Sequence, residues 1–146
     1  MAQGDVVVFE EAKLAFLDGS IDLSGTTDFS CLLVTTLPVA SVGTPDTSDY
    51  TECTQGGGYT TGGIALTISL AEAGGTVTFD DSVNPSWTKA AGSPTDVVAA
   101  IVYSETATPD AVCFIDLTTD AGSTPVSLVD NDITITWDDL GIFTLA

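Results

Sequence analysis

Val97-Val98-Ala99-Ala100-Ile101-Val102-Tyr103 is the stretch whose reading decides the fold. It is apolar at both parities and rich in β-branched residues, the pattern of a strand buried on both faces, and it is short for a helix. We read it as the central strand of a sheet. Beyond a connector at residues 104–109, Val112-Cys113-Phe114-Ile115-Asp116-Leu117 reads as a strand returning beside the first, so the pair forms a hairpin. After a second turn-rich segment comes Ile133-Thr134-Ile135-Thr136-Trp137. Its period of two puts Ile133, Ile135 and Trp137 on a core face and both threonines toward solvent. Asp138-Asp139-Leu140-Gly141 then reads as a turn into a last short strand, Ile142-Phe143-Thr144-Leu145.

Outward from this region the same grammar repeats. Phe29-Ser30-Cys31-Leu32-Leu33-Val34-Thr35 reads as a strand near the middle of a sheet, reached through a turn at Ser24-Gly25-Thr26-Thr27. Residues 64–70 alternate, with Leu66, Ile68 and Leu70 facing in, and Gly74-Gly75 turns the chain into Val77-Thr78-Phe79. Trp87 can be core or surface anchor, and core is the better reading for an isolated tryptophan. Val6-Val7-Val8-Phe9 opens an apolar run whose continuation is ambiguous: helical spacing groups Phe9, Ala12, Phe16 and Leu17, while period two pairs Leu14 with Phe16. The expectation is a strand continuing through Phe16. Residues 38–63 change to Thr, Ser, Gly, Asp and Pro, a long excursion whose only helical signal is one turn at Thr47-Ser48-Asp49-Tyr50. A loop of that length is expected to be a functional arm or to be ordered by a neighbouring molecule. The fold class is therefore all-β: one domain over residues 1–146, a β-sandwich of jelly-roll or immunoglobulin-like topology.

Charge narrows the function. Two lysines stand against 21 acids, for a formal net charge of −19 without histidine. Phosphate neutralisation needs clustered cations, so nucleic acid is excluded as a direct partner. The acids suit a solvated surface that discourages edge-to-edge association, or one that meets a basic partner or divalent cations. No apolar run approaches the ~20 residues of a membrane span. The start lacks the cationic region of a secretory signal, which points to synthesis in a bacterial cytoplasm. The three cysteines, Cys31, Cys53 and Cys113, are expected to be free thiols, and without histidine they cannot complete a zinc site.

No catalytic, cofactor-binding or metal-ligating residue is expected. The glycines at 56–58 and 62–63 are followed by no phosphate-binding lysine, and serve instead for bends and close strand contacts. The acidic pairs Glu10-Glu11, Asp80-Asp81 and Asp138-Asp139 sit on strands or turns where they make poor dyads. Asp130-Asn131-Asp132 offers oxygen ligands for Ca²⁺ but lacks the rest of an EF-hand loop and reads as a turn.

Tyr103-Ser-Glu-Thr-Ala107, Phe114-Ile-Asp-Leu117 and Ile133-Thr-Ile-Thr-Trp137 ahead of Gly141-Ile-Phe-Thr-Leu145 carry a resemblance that runs the length of the chain. With Gly4-Asp5-Val6-Val7-Val8-Phe9, the Gly58-Tyr59-Thr60-Thr61-Gly62-Gly63 block and Ser86-Trp87-Thr88, they resemble a family of small virion structural proteins of tailed bacteriophages. Several members of that family are capsid decoration or cement proteins. The resemblance implies a non-enzymatic part on the outside of the phage head, bound to the major capsid protein and to itself, with trimers the usual arrangement. The expected contact surface is residues 2–9 together with the 38–63 excursion. The alternative is a virion-attached adhesion module, or a tail or fibre component, that binds bacterial surface glycans. An aromatic content of 8%, set mostly in apolar strands, favours the first role.

Overall fold

The computed structural model describes every residue except Thr26, Thr27, Thr44 and Pro109. The turn read through Thr26-Thr27, Thr44 of the excursion and the Pro109 end of the connector therefore lie outside the described residues. The chain runs β1 (Val6–Val8), α1 (Glu10–Asp18), β2 (Phe29–Val34), β3 (Ile64–Ala65), β4 (Ile68–Ala73), β5 (Thr76–Asp81), β6 (Ser86–Trp87), β7 (Ala99–Ser104), β8 (Ala111–Asp116), β9 (Ile133–Thr134) and β10 (Phe143–Leu145). A 3₁₀ turn, Thr47–Asp49, sits where the one helical signal of the excursion lies, capped by the Asp46 carboxylate. The fold is all-β, a sandwich of antiparallel sheets: five strands in the order β1-β8-β7-β2-β3, three in the order β10-β5-β4, and the β6-β9 pair.

The strand read as central is central. β7 lies third of five, between β8 and β2, and its alternating residues feed two different cores. Ala100 and Val102 face the second layer with Cys31, Leu33, Cys113 and Ile115, against Ile68, Phe79, Trp87 and Ile133. Ala99 and Ile101 face the other way with Leu32, Val34 and Phe114. An apolar residue at every position is what a sheet covered on both faces requires. Trp87 is 3% exposed, a core residue.

The cover on that second face corrects two expectations. Residues 10–18 form a helix, not a continuing strand, and end at Gly19 with φ of 79°, the left-handed stop that Asp18-Gly19 allowed. The helical spacing prevails because Ala12 and Ala15 can be buried close to the sheets while Phe16 stacks on Phe143 at 5.8 Å. Leu17, grouped with that face in the sequence, is 87% exposed instead. The 38–63 excursion is not a free arm waiting for a neighbour. Ala40, Val42 and Tyr50 pack on the outer face of the five-stranded sheet, and Cys53 and Tyr59 enter the inner core. The Tyr59 hydroxyl accepts from the Leu33 amide at 3.1 Å and donates to Glu52 Oε1 at 2.7 Å. Gly63, at φ +75°, lies so close to the Cys31 carbonyl that no Cβ would fit.

The run 64–70 is divided between sheets: β3 pairs with β2 and β4 with β5. Leu66 and Ile68 are buried, as the alternation requires, but Leu70 is 42% exposed. It lies on the inner face opposite Phe79, at the point where the β4-β5 hairpin runs past the edge of the core. Gly74 and Gly75, at φ 63° and 89°, close that hairpin with the angles of a type I′ turn. Only Ile133 and Thr134 of the 133–137 stretch join a ladder, yet its alternation holds, with Ile133 and Ile135 buried and both threonines exposed.

Candidate functional site

The acids are distributed by local chemistry and do not gather. Glu10 and Glu11 occupy the first turn of α1, where the helix dipole favours anions. Asp138 Oδ1 accepts from the Leu140 amide within its turn. Asp130-Asn131-Asp132 is a turn in which two amides converge on the Ser127 carbonyl, while Asp132 Oδ1 accepts from the Lys89 amide at 2.8 Å. Among the described residues no group of three or more His, Cys, Asp or Glu side chains is placed to hold a metal ion.

Among the described residues two carboxylates are buried, which the sequence did not signal. Asp81 Oδ1 accepts from the Thr67 amide at 2.8 Å, and its Oδ2 accepts from Trp137 Nε1 at 3.4 Å. Asp116 Oδ1 accepts from the amide and hydroxyl of Thr118, and its Oδ2 has no hydrogen-bond partner among the described residues. The three thiols are free and buried. Burial, then the nearby Asp96 and Glu52 charges, push Cys53 up to about 12, and burial likewise raises Cys31 and Cys113. Thiols held protonated are poor nucleophiles.

Two surface features remain. The first is an open cleft of about 770 Å³ between the N-terminal edge of the large sheet and the 134–138 segment. Gln3, Asp5 and Val6 form one wall, Trp137 and Asp138 the other, and Ile115 the floor between them. Gln3 Nε2 is anchored on the Leu117 carbonyl at 2.8 Å, and the Trp137 amide on Asn84 Oδ1 at 3.1 Å. Trp137 is half-buried, its indole N–H turned inward to Asp81.

The second feature is apolar. Phe16, Ile21, Leu23 and Leu70 surround a shallow hollow of about 470 Å³ at the end of α1, under the overhanging hairpin. On the same helix, off the face that carries Phe16, Leu17 is 87% exposed and Leu14 57%. Leu145, opposite Val77 in the same sheet as Leu70, is 40% exposed. Single exposed leucines are ordinary, but a hollow in which Leu70 of the overhang meets Phe16, Ile21 and Leu23 at the helix end, with Leu17 exposed one residue along, is apolar surface of the kind that marks a protein contact. Sequence reasoning missed it by reading residues 10–16 as strand. The available signal was Leu14, which falls off the Ala12, Ala15, Phe16 face once the segment is helical. No helix among the described residues is long and apolar enough to cross a membrane. In comparisons with protein-family models, with curated proteins and with solved structures, the chain matches none.

Proposed function

We propose that this chain is a structural virion protein of a tailed bacteriophage, a capsid decoration or cement protein that binds the outside of the head lattice and stabilises it. One observation carries the reading: a chain of net charge −19 with a finished core keeps an apolar patch at the α1 end and the β4-β5 overhang. Acidic surface keeps the free subunit soluble, and a leucine patch within it gives a partner protein somewhere to bury apolar area. The motif resemblance supplies the partner, the major capsid protein, with neighbouring copies of this chain in a trimer. Because the excursion is folded onto its own sheet, the leucine patch takes the place of residues 38–63 in the contact surface of this proposal, and residues 2–9 remain the other part of it. Linked subunits on a lattice need only modest contacts each.

Particles assembled without the protein should lose more of their packaged genomes on heating and osmotic shock than complete ones, and adding purified protein should restore them. If bare and decorated particles are equally robust but the bare ones fail to adsorb to host cells, the protein is an adhesion module instead.

A further inference from the structure

The cleft beside β1 lies along residues 2–9, the part of the expected contact surface whose partner chemistry the decoration reading leaves open. β1 is an edge strand, paired among the described residues with β8 alone. The Phe9 amide donates to the Val112 carbonyl. Antiparallel alternation then turns the Val7 amide toward Phe114, and the Val6 and Val8 amides and carbonyls away from β8. Val6 lines the cleft, and none of the hydrogen bonds among the described residues joins the opposite wall, residues 134–142, to β1. Among the described residues an unpaired backbone edge therefore borders the cleft.

We infer that this edge accepts an extended, positively charged peptide segment as an added strand. Strand addition draws affinity from main-chain hydrogen bonds and specificity from pockets that take alternate side chains. Val6 and Leu117, both half-buried, offer apolar contact to one set of side chains. Asp5 and Asp138 stand on opposite walls for the other set, and neither Lys13 nor Lys89 lines the cleft. A second copy of this chain would bring its own −19 to the same place, so the occupant that fits is a cationic segment of another protein. This inference holds whether or not the protein decorates a capsid.

The test is an amide NMR titration of the full chain with a capped peptide alternating lysine and valine, a glutamate-valine counterpart and a linear glucose oligosaccharide. The lysine peptide should move the Gly4, Asp5, Val6 and Trp137 signals, and bind about tenfold more tightly than the glutamate peptide. Val6→Pro removes a donor that faces the cleft and leaves the β8 ladder intact, so it should abolish binding while the spectrum stays dispersed. Should that variant fail to fold, Asp5→Lys and Asp138→Lys decide, each weakening the lysine peptide about tenfold. Unmoved signals, equal binding of both peptides, or full binding by a folded Val6→Pro would overturn strand addition. A saccharide that moves Trp137 when the peptide does not would make the cleft a glycan site.

Discussion

β7 and β4 are both six-residue strands, and they are put to opposite uses. In β7 every residue but Tyr103 is buried, and in β4 only Ile68 is. β7 sits between two neighbours and beneath two covers, whereas β4 pairs with β5 alone and runs out past the core. Stability is concentrated in the first region and apolar surface is left over in the second, so substitutions should separate folding from binding.

The largest effect belongs to the central sheet. Ile101→Ala or Phe114→Ala should destabilise by about 3–5 kcal/mol in urea unfolding, the range of large-to-small core truncations. Comparable losses from Leu70→Ala would erase the contrast between the regions. Next comes the pin that holds the excursion to the sheet: Tyr59→Phe strands the Leu33 amide and should cost about 1–3 kcal/mol. A silent Tyr59→Phe would return the excursion to the status of a loose arm.

Alkaline pH probes the same core. Burial keeps Cys53 protonated to about 12 against an ordinary 9.0, and raises Cys31, Cys113 and Tyr59 as well. Above pH 9 the unfolded chain releases thiol protons that the folded chain retains. The stabilisation is therefore complete below 9 and is lost as pH rises toward 12. Thermal midpoints should fall through that window, and Cys53→Ala should flatten the fall. A midpoint independent of pH between 9 and 12 would contradict the burial of the thiols.

The central sheet was legible in the sequence because burial on both faces leaves an unbroken apolar run, and the 133–137 alternation was legible because one face meets solvent. The helix was not, since Glu10 to Leu17 satisfies both periods and only the alanines' closeness to the sheets decides between them. Nor was the inward packing of the excursion, whose anchors Cys53 and Tyr59 stand singly among glycines and threonines, with no period to mark them. The burial of Asp81 and Asp116 was not legible because the groups that bond them, the Thr67 amide, Trp137 and Thr118, are brought by turns and by a segment distant in sequence. The leucine patch follows from the helix and was hidden with it.

The smallest expected effect on stability is the one that bears on function. Leu17→Ser and Leu70→Ser, together in one chain, should change folding stability by no more than about 1 kcal/mol, as substitutions at exposed positions do. The deciding measurement is co-sedimentation of that double variant and the parent chain with particles assembled without the protein, beside their thermal midpoints. The account predicts an unchanged midpoint and a loss of particle binding for the variant. Full binding by the folded variant would contradict the leucine patch as the attachment surface.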